Sequence, residues 1–148
     1  MKAFTDRALN LAQVQGASYA DIRIIVRRTQ AINVKNGVVE GISDNESQGF
    51  GVRVVVDGAW GFASSAILTS AEIDRVTAQA VQIARASGLF KIHDVKLGPP
   101  VAHEGTYRTS VEIDPWDVSL EQKLDLLLKA DEGMRATPGV MVAGSSVS

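Results

Sequence analysis

The sequence predicts an α+β fold in which helices cover one face of an antiparallel β-meander. Between residues 20 and 64, alternating apolar side chains are interrupted by tight-turn dipeptides, a pattern typical of consecutive antiparallel strands. The segments on either side carry apolar residues at helical spacing. Because the strands are grouped and the helices flank them, the pattern favours α+β over an alternating α/β architecture.

The first helix is predicted over residues 2–15. Gly16 provides its end, because glycine enters the left-handed C-cap conformation without strain. The apolar side chains of this segment recur at intervals of three and four residues: Phe4, Ala8, Leu11 and Ala12.

Short β runs follow the helix. In residues 20–29, apolar and charged side chains alternate, as in a half-buried strand. Asn36-Gly37 and Asp57-Gly58 predict type I′ turns, in which both central residues need positive φ. The turns separate further runs at residues 31–35, 38–43, 51–56 and 59–64. Trp60 and Phe62 share one face of the last run, and we expect them in the core.

The clearest helix begins at a predicted capping box formed by Thr69 and Glu72, and it ends near Gly88. Capping in this motif is reciprocal, because each side chain bonds the other residue's backbone N–H. The predicted buried stripe consists of Ile73, Val76, Ala80, Ile83 and Ala84.

The remainder is predicted to contain an extended connection, a helix and a strand. Proline residues interrupt residues 89–118, and Ser119 with Gln122 forms a second capping box. A strand is predicted to begin at residues 140–143, and we expect it to be incomplete because the chain stops soon afterwards. We therefore expect residues 1–148 to form a single N-terminal domain of a longer, truncated protein. Its parts are a meander and helix (1–88), a connection (89–118) and a final helix and strand (119–148).

Composition excludes several classes of function. Fifteen Lys and Arg residues against seventeen Asp and Glu give a net charge of −2, which is not the charge pattern of a nucleic-acid-binding domain. No apolar run is long enough to span a membrane, and charged residues near the N-terminus argue against a signal peptide. A cytoplasmic protein without nucleic-acid or membrane partners is expected.

A catalytic metal site is not predicted in this chain. There are no cysteines, and zinc sites in enzymes generally use about three protein ligands. His103-Glu104 resembles the start of a zinc-protease motif, but Tyr107 and Arg108 stand where a second histidine is needed. His93 cannot complete a site by itself. We predict no catalytic and no metal-binding residue.

One peptide-binding site is a candidate. Gly49 and Gly51 flank Phe50 at the start of an apolar strand, where glycine marks a bulge or a close backbone approach. If this strand lies at the edge of the sheet, it could receive an extended peptide by β-augmentation. Arg53 would then face a peptide carbonyl or carboxylate. Gly49, Gly51 and Arg53 are the predicted peptide contacts.

Three strings of sequence carry a resemblance to the N-terminal domain of the TldD/PmbA family, once described as modulators of DNA gyrase. They are GASYADIRI, NGVVEGISDNESQGFGVRVVVDGAWGFASS and LTSAEIDRVTAQAVQIAR. A fourth string, GTYRTSVEIDPWDVSLEQKLDLLLKADEGMRA, resembles the TldD-like branch of the family.

The resemblance implies an α+β domain of a two-domain zinc metalloprotease that cleaves unfolded or extended peptides, such as microcin precursors or an antitoxin. It also implies a C-terminal metal-bearing domain and a homodimer or a TldD–TldE-type heterodimer. The family's His-Glu-x-x-x-His motif has no counterpart here, since Arg108 replaces its second histidine. This chain is therefore expected to be inactive alone and to contribute to the substrate cleft or the dimer surface. A stand-alone peptide- or protein-binding module is the alternative.

Overall fold

The computed structural model describes residues 2–99 and 103–148, and it has the predicted α+β architecture. Within these residues, four strands form one open antiparallel sheet in the order β3-β2-β1-β4. No helix in this part of the chain is long and apolar enough to cross a membrane. The elements are α1 (Lys2–Val14), β1 (Tyr19–Lys35), β2 (Val38–Val56), β3 (Ala59–Ser65), α2 (Ser70–Gly88), α3 (Leu120–Arg135) and β4 (Gly144–Val147).

Both predicted two-residue turns are present. Asn36 and Gly37 have φ angles of 48° and 78°, and Asp57 and Gly58 have 50° and 73°. Positive φ at both central positions is what a type I′ hairpin requires. The first turn joins β1 to β2 and the second joins β2 to β3, so the predicted meander is confirmed.

The first two strands are longer than predicted. The runs predicted at 20–29 and 31–35 form one strand of 17 residues, and those at 38–43 and 51–56 lie in one strand of 19 residues. The polar residues between the latter two runs indicate a loop when read locally. In the sheet, however, Asp44 accepts hydrogen bonds of 2.7 and 3.2 Å from the Arg28 side chain. Such cross-strand pairing lets polar residues continue a strand.

The described residues fall into two compact units, one formed by residues 2–27 and 47–99 and the other by residues 28–46 and 103–148. Each unit therefore contains part of β1 and part of β2. In the first unit, α1 and α2 pack on the strands. Its buried core consists of Ala8, Ala12, Phe50, Val52, Val54, Val56, Ala63, Ile73, Val76, Ala80, Val81 and Ala84.

In the second unit, α3 covers the other part of the hairpin. Ile32 and Val34 of β1 are buried against Leu127 of α3. The last strand, Gly144–Val147, begins later than predicted and pairs with β1 in the register Ile32↔Val147 to Lys35↔Gly144.

The two capping boxes differ in their completeness. At α3, the Ser119 hydroxyl accepts from the Gln122 N–H and the Gln122 side chain accepts from the Ser119 N–H, both at 3.2 Å. At α2, the Thr69 hydroxyl accepts from the Glu72 N–H at 3.3 Å. The Glu72 carboxylate instead accepts hydrogen bonds of 2.7 and 2.9 Å from Arg75. Only half of the box predicted at α2 is present, because an arginine one turn away competes for the glutamate.

The contact between Glu72 and Arg75 gives a prediction about acid stability. Hydrogen bonding from Arg75, followed by hydrogen bonding from Ser65, lowers the pKa of Glu72 from its ordinary value of 4.5 to about 2. A lowered folded-state pKa stabilises the fold above the unfolded-state pKa, and that stabilisation is lost as the pH falls through the folded-state value. We expect Glu72→Gln to weaken the decline in unfolding free energy between pH 4.5 and about 2.

Urea unfolding at a series of pH values measures this decline. Glu121→Gln is the matched control, because Glu121 is an exposed glutamate in the first turn of α3. Parallel pH profiles for the wild type and the Glu72→Gln variant would contradict the prediction.

Gly61 allows a close approach between β3 and α2. It is buried in the middle of β3. A Cβ atom at this position would overlap the carbonyl oxygen of Ala80 and would lie 2.6 Å from the backbone nitrogen of Ala84. The backbone of α2 therefore rests directly on the strand where the side chain is missing.

A buried carboxylate lies in α3. Asp131 is fully buried, and its Oδ2 accepts a 2.7 Å hydrogen bond from Arg135 Nε one turn later. Its Oδ1 has no hydrogen-bond donor among the described residues. The Arg135 guanidinium also lies against Gly37, where a Cβ would approach its Nη2 within 2.7 Å. Arg135 thus compensates a buried charge beside the hairpin turn.

Candidate functional site

The first unit has a groove of about 590 Å³ on the strands β1, β2 and β3. Its chemistry is mixed, with an aromatic ring, aliphatic side chains, hydroxyl groups and two guanidinium groups around a glycine-rich floor. The lining residues are Asp21, Arg23, Ile25, Gln48, Gly49, Phe50, Gly51, Arg53, Phe62, Ser64, Ser65 and Ala66.

The alternation of β2 brings the three predicted peptide contacts into this groove. Val52 and Val54 are buried in the core beneath the helices. Because successive side chains of a strand point to opposite faces, Gly51 and Arg53 face the other side. Gly49, Gly51 and Arg53 therefore line one groove.

The edge-strand interpretation of these residues is wrong. β2 lies between β3 and β1 in the sheet, and Gly51 pairs with Ser64 of β3. The backbone of an interior strand already pairs on both sides. A peptide cannot add as a strand beside Gly49 and Gly51, so any contact there is with the face of the sheet.

The two glycines make room for different neighbours. A Cβ at Gly51 would lie 2.7 Å from the Phe62 ring, so the ring of Phe62 lies over Gly51. At Gly49, the nearest atom to such a Cβ would be the backbone oxygen of Ser65, at 3.1 Å. The groove is thus shallow at Gly51, where the ring covers its floor. At Gly49, the floor is bare backbone.

Arg53 is held in place by a polar and aromatic cluster. Its Nε donates to Asp21 Oδ2 at 2.8 Å, and its Nη2 forms a 2.7 Å ion pair with the same oxygen. Its guanidinium carbon lies 4.9 Å from the ring centroid of Trp60. Tyr19 donates a 3.0 Å hydrogen bond to the same carboxylate oxygen and packs edge-on against Trp60. The Asp21 carboxylate, chiefly through hydrogen bonding, raises the pKa of Arg53 above its ordinary value. The Arg53 guanidinium is therefore held in position by Asp21.

Arg23, the second cation of the groove, has no short contact with Asp21. Its Nε lies 3.7 Å from Asp21 Oδ1, which is beyond hydrogen-bond length, and its side chain is 73% exposed. Because Arg53 already neutralises Asp21, the guanidinium of Arg23 leaves the groove with one uncompensated positive charge.

Sequence reasoning missed part of the groove. Trp60 and Phe62 were expected in the core, but Phe62 is 56% exposed and Trp60 is half-exposed. Hairpin geometry explains the difference, because the Asp57-Gly58 turn pairs Arg53 with Phe62 and places both on the face opposite the helices. No local sequence pattern indicated that Asp21 belongs to the groove, since only the pairing of β1 with β2 brings it to Arg53.

Potential metal ligands do not cluster among the residues that the structure describes. Across residues 2–99 and 103–148, no three His, Cys, Asp or Glu side chains converge on a possible metal position. His93 and His103 lie in different units, and cysteine is absent from the sequence.

Comparisons with known proteins agree with the resemblance seen in the sequence. Residues 20–84 match the family described as PmbA/TldA metallopeptidase domain 1. The chain is 30% identical over 130 residues to a metalloprotease of Methanocaldococcus jannaschii, covering 85% of this chain and 29% of that protein. It is 29% identical over 112 residues to a metalloprotease of Methanothermobacter thermautotrophicus, covering 76% of this chain and 23% of that protein. The chain thus spans less than a third of these relatives.

Solved structures show the same fold. A Bacteroides thetaiotaomicron protein described as a modulator of DNA gyrase superposes on this chain with a TM-score of 0.75 at 15% identity. The superposition covers 98% of this chain and 33% of that one. TldE from Thermococcus kodakarensis superposes with a TM-score of 0.61 at 16% identity, covering 97% of this chain and 32% of that one.

Proposed function

Because residues 20–84 match the family described as PmbA/TldA metallopeptidase domain 1, we propose that the chain forms part of the peptide cleft and dimer surface of a larger zinc metalloprotease. In this proposal, the catalytic metal belongs to another domain of the same protein, and the substrates are unfolded or extended peptides. The observation that carries the proposal is the groove on β1, β2 and β3.

The groove has features that suit an extended peptide. Binding sites combine apolar walls with a few polar groups that orient the ligand. Here Phe62 and Ile25 supply exposed apolar surface, while the serine hydroxyls and two arginines supply polar contacts. Since β2 is an interior strand, the peptide lies across the sheet face and is held through its side chains.

We place the metal in another domain because the described residues contain no group of three potential metal ligands. Alone, the chain binds peptide without cleaving it. The stand-alone module proposed as an alternative would bind peptide equally well, but adding the metal-bearing partner domain would not produce cleavage.

The dimer surface has separate support from an exposed apolar segment after α2. Leu89, Phe90 and Ile92 are each at least 81% exposed. The Lys91 ammonium group contacts the backbone oxygen of Asp57 and forms a 2.7 Å ion pair with Asp94, so this segment is anchored on the β2–β3 turn. Adjacent exposed apolar side chains commonly mark protein–protein contacts. We assign them to the contact with the rest of a TldD–TldE-type or homodimeric assembly.

A peptide-binding experiment tests the role of the groove. Phe62→Ala should weaken binding of a fluorescein-labelled, unstructured Leu-containing peptide about tenfold, because an aromatic wall is removed from the centre of the site. Fluorescence polarisation measures the affinity. Phe90→Ala is the matched control, since it removes an exposed phenylalanine of the same unit that lies outside the groove.

A hydrolysis assay accompanies the binding measurement. With added zinc, the 148-residue chain should leave the peptide intact. Hydrolysis that a chelator abolishes, or equal loss of binding in the Phe62→Ala and Phe90→Ala variants, would contradict the proposal.

A further inference from the structure

The charges of the groove point to a preference among peptides that the proposed function does not specify. Three lining residues are charged: Asp21, Arg23 and Arg53. Two positive charges against one negative charge leave the groove with a net charge of +1. An apolar groove with a positive charge at its side favours an apolar ligand that also carries an anionic group.

The two arginines are not equivalent. Arg53 donates a hydrogen bond from Nε to Asp21 and forms an ion pair with it through Nη2, and its guanidinium lies beside the Trp60 ring. Arg23 has only the long 3.7 Å approach to Asp21 and is mostly exposed. A new carboxylate can therefore reach Arg23 without breaking a hydrogen bond that already exists in the groove. Arg53 supports this arrangement by neutralising Asp21, which would otherwise repel an anion.

Apolar contact is available beside this charge. Ile25 follows Arg23 by two residues on β1, so both side chains lie on the same face of the strand. Ile25 and Phe62 are 57% and 56% exposed, and both line the groove with Gly49. A ligand side chain over Gly49 meets backbone and the exposed surface of these two residues.

Resting on the proposed function, we propose that the groove selects extended peptides in which an apolar side chain and an aspartate or glutamate are two residues apart, so that both face the sheet. The apolar side chain lies over Gly49 against Phe62 and Ile25, and the acidic side chain faces Arg23. The carboxylate comes from a side chain and not from the end of the peptide, because capture of a terminal carboxylate uses backbone N–H groups in a nest. Strand pairing already engages the backbone of β2 in this groove.

The test compares peptides that differ at one position. Blocked, fluorescein-labelled Gly/Ser peptides carry a central Leu-Ser-Asp, Leu-Ser-Asn or Leu-Ser-Lys sequence, called here Leu-Asp, Leu-Asn and Leu-Lys after the two side chains that face the groove. Their affinities are measured by fluorescence polarisation at low salt. The wild type should bind the Leu-Asp peptide about fivefold more tightly than the Leu-Asn peptide, which is the scale of an exposed ion pair. The Leu-Lys peptide should bind most weakly, and added salt should reduce the differences.

Matched arginine variants identify the residue responsible. Arg23→Gln should remove the preference for the Leu-Asp peptide over the Leu-Asn peptide. Arg27→Gln should keep the preference, because Arg27 is an exposed arginine of the same strand outside the groove. Circular dichroism verifies that both variants fold.

The possible failures are distinguishable. If none of the peptides binds, the proposed function fails. If the peptides bind but Leu-Asp and Leu-Asn are equal, or if Arg27→Gln abolishes the preference as Arg23→Gln does, the inference alone is overturned. A peptide with a free C-terminal leucine that binds more tightly than blocked Leu-Asp would overturn the choice of a side-chain carboxylate.

Discussion

Gly61→Ala should lower the free energy of unfolding by about 3 kcal/mol, because an added methyl group in a packed interior forces backbone movement. The new Cβ would lie 2.6 Å from the Ala84 nitrogen and 2.8 Å from the Ala84 Cβ, and it would overlap the Ala80 carbonyl oxygen. Backbone atoms cannot rotate away as a flexible side chain can. The whole of α2 must therefore shift, together with its buried stripe.

Urea unfolding monitored by Trp60 fluorescence measures this loss within the first unit. Trp116, the other tryptophan, is replaced by phenylalanine in every protein compared, so that the signal comes from Trp60 alone. Gly88→Ala is the matched control, since Gly88 belongs to the same unit and a Cβ added there would make only an ordinary contact, 3.8 Å from the Ala59 Cβ. Equal stability of the Gly61→Ala and Gly88→Ala variants would contradict the prediction.

Arg135→Ala should lower the free energy of unfolding by about 3 kcal/mol, because removing Arg135 leaves the buried Asp131 carboxylate without a compensating charge. Asp131 is fully buried, and Arg135 donates to its Oδ2 at 2.7 Å. The other carboxylate oxygen has no donor among the described residues that could take over this role. The same helix contains a natural control in Lys129→Ala. Lys129 and Asp125 form an exposed pair at the same spacing, so losing this pair should destabilise the fold far less than losing Arg135.

A double variant separates charge burial from simple loss of side-chain packing. Asp131→Asn combined with Arg135→Ala removes the unpaired charge and should recover at least half of the loss. Unfolding followed by Trp116 fluorescence, with Trp60 replaced by phenylalanine, measures both proteins in the second unit. If the double variant is no more stable than Arg135→Ala, burial of the charge is not the cause.

Local signals predicted much of the fold. Asn36-Gly37 and Asp57-Gly58 determine their turns through the backbone angles they tolerate, and those turns determine which strands are neighbours. Strand length was less accessible, because Asp44 and the polar residues after it favour a loop unless partners across the sheet are known. The close approach of α2 to Gly61 depends on packing between distant elements, which no short window of sequence reveals.

Local signals also predicted three of the residues that line the groove. Glycine within a strand indicates a close backbone approach, which identifies Gly49 and Gly51, and Arg53 is a nearby partner for a peptide carbonyl or carboxylate. The structure places all three in one groove. Their position in an interior strand could not be read from the sequence, since it depends on the partners of β2 on both sides. The register of the β2–β3 hairpin predicts that Phe62 lies on the same face as Arg53. Placing Asp21 beside Arg53 requires the pairing of β1 with β2.

The shared β1–β2 hairpin bears on how the chain folds as it leaves the ribosome. The first unit has its last helix by Gly88, but Ile32 and Val34 are covered only when Leu127 and Val147 have been made. Asn36 and Ala143, which hydrogen-bond to each other, are 107 residues apart. At typical synthesis rates that separation corresponds to roughly 5–20 s. For that interval, the apolar side chains of Ile32 and Val34 remain uncovered. We therefore expect chaperones to act on residues 28–46 of the nascent chain.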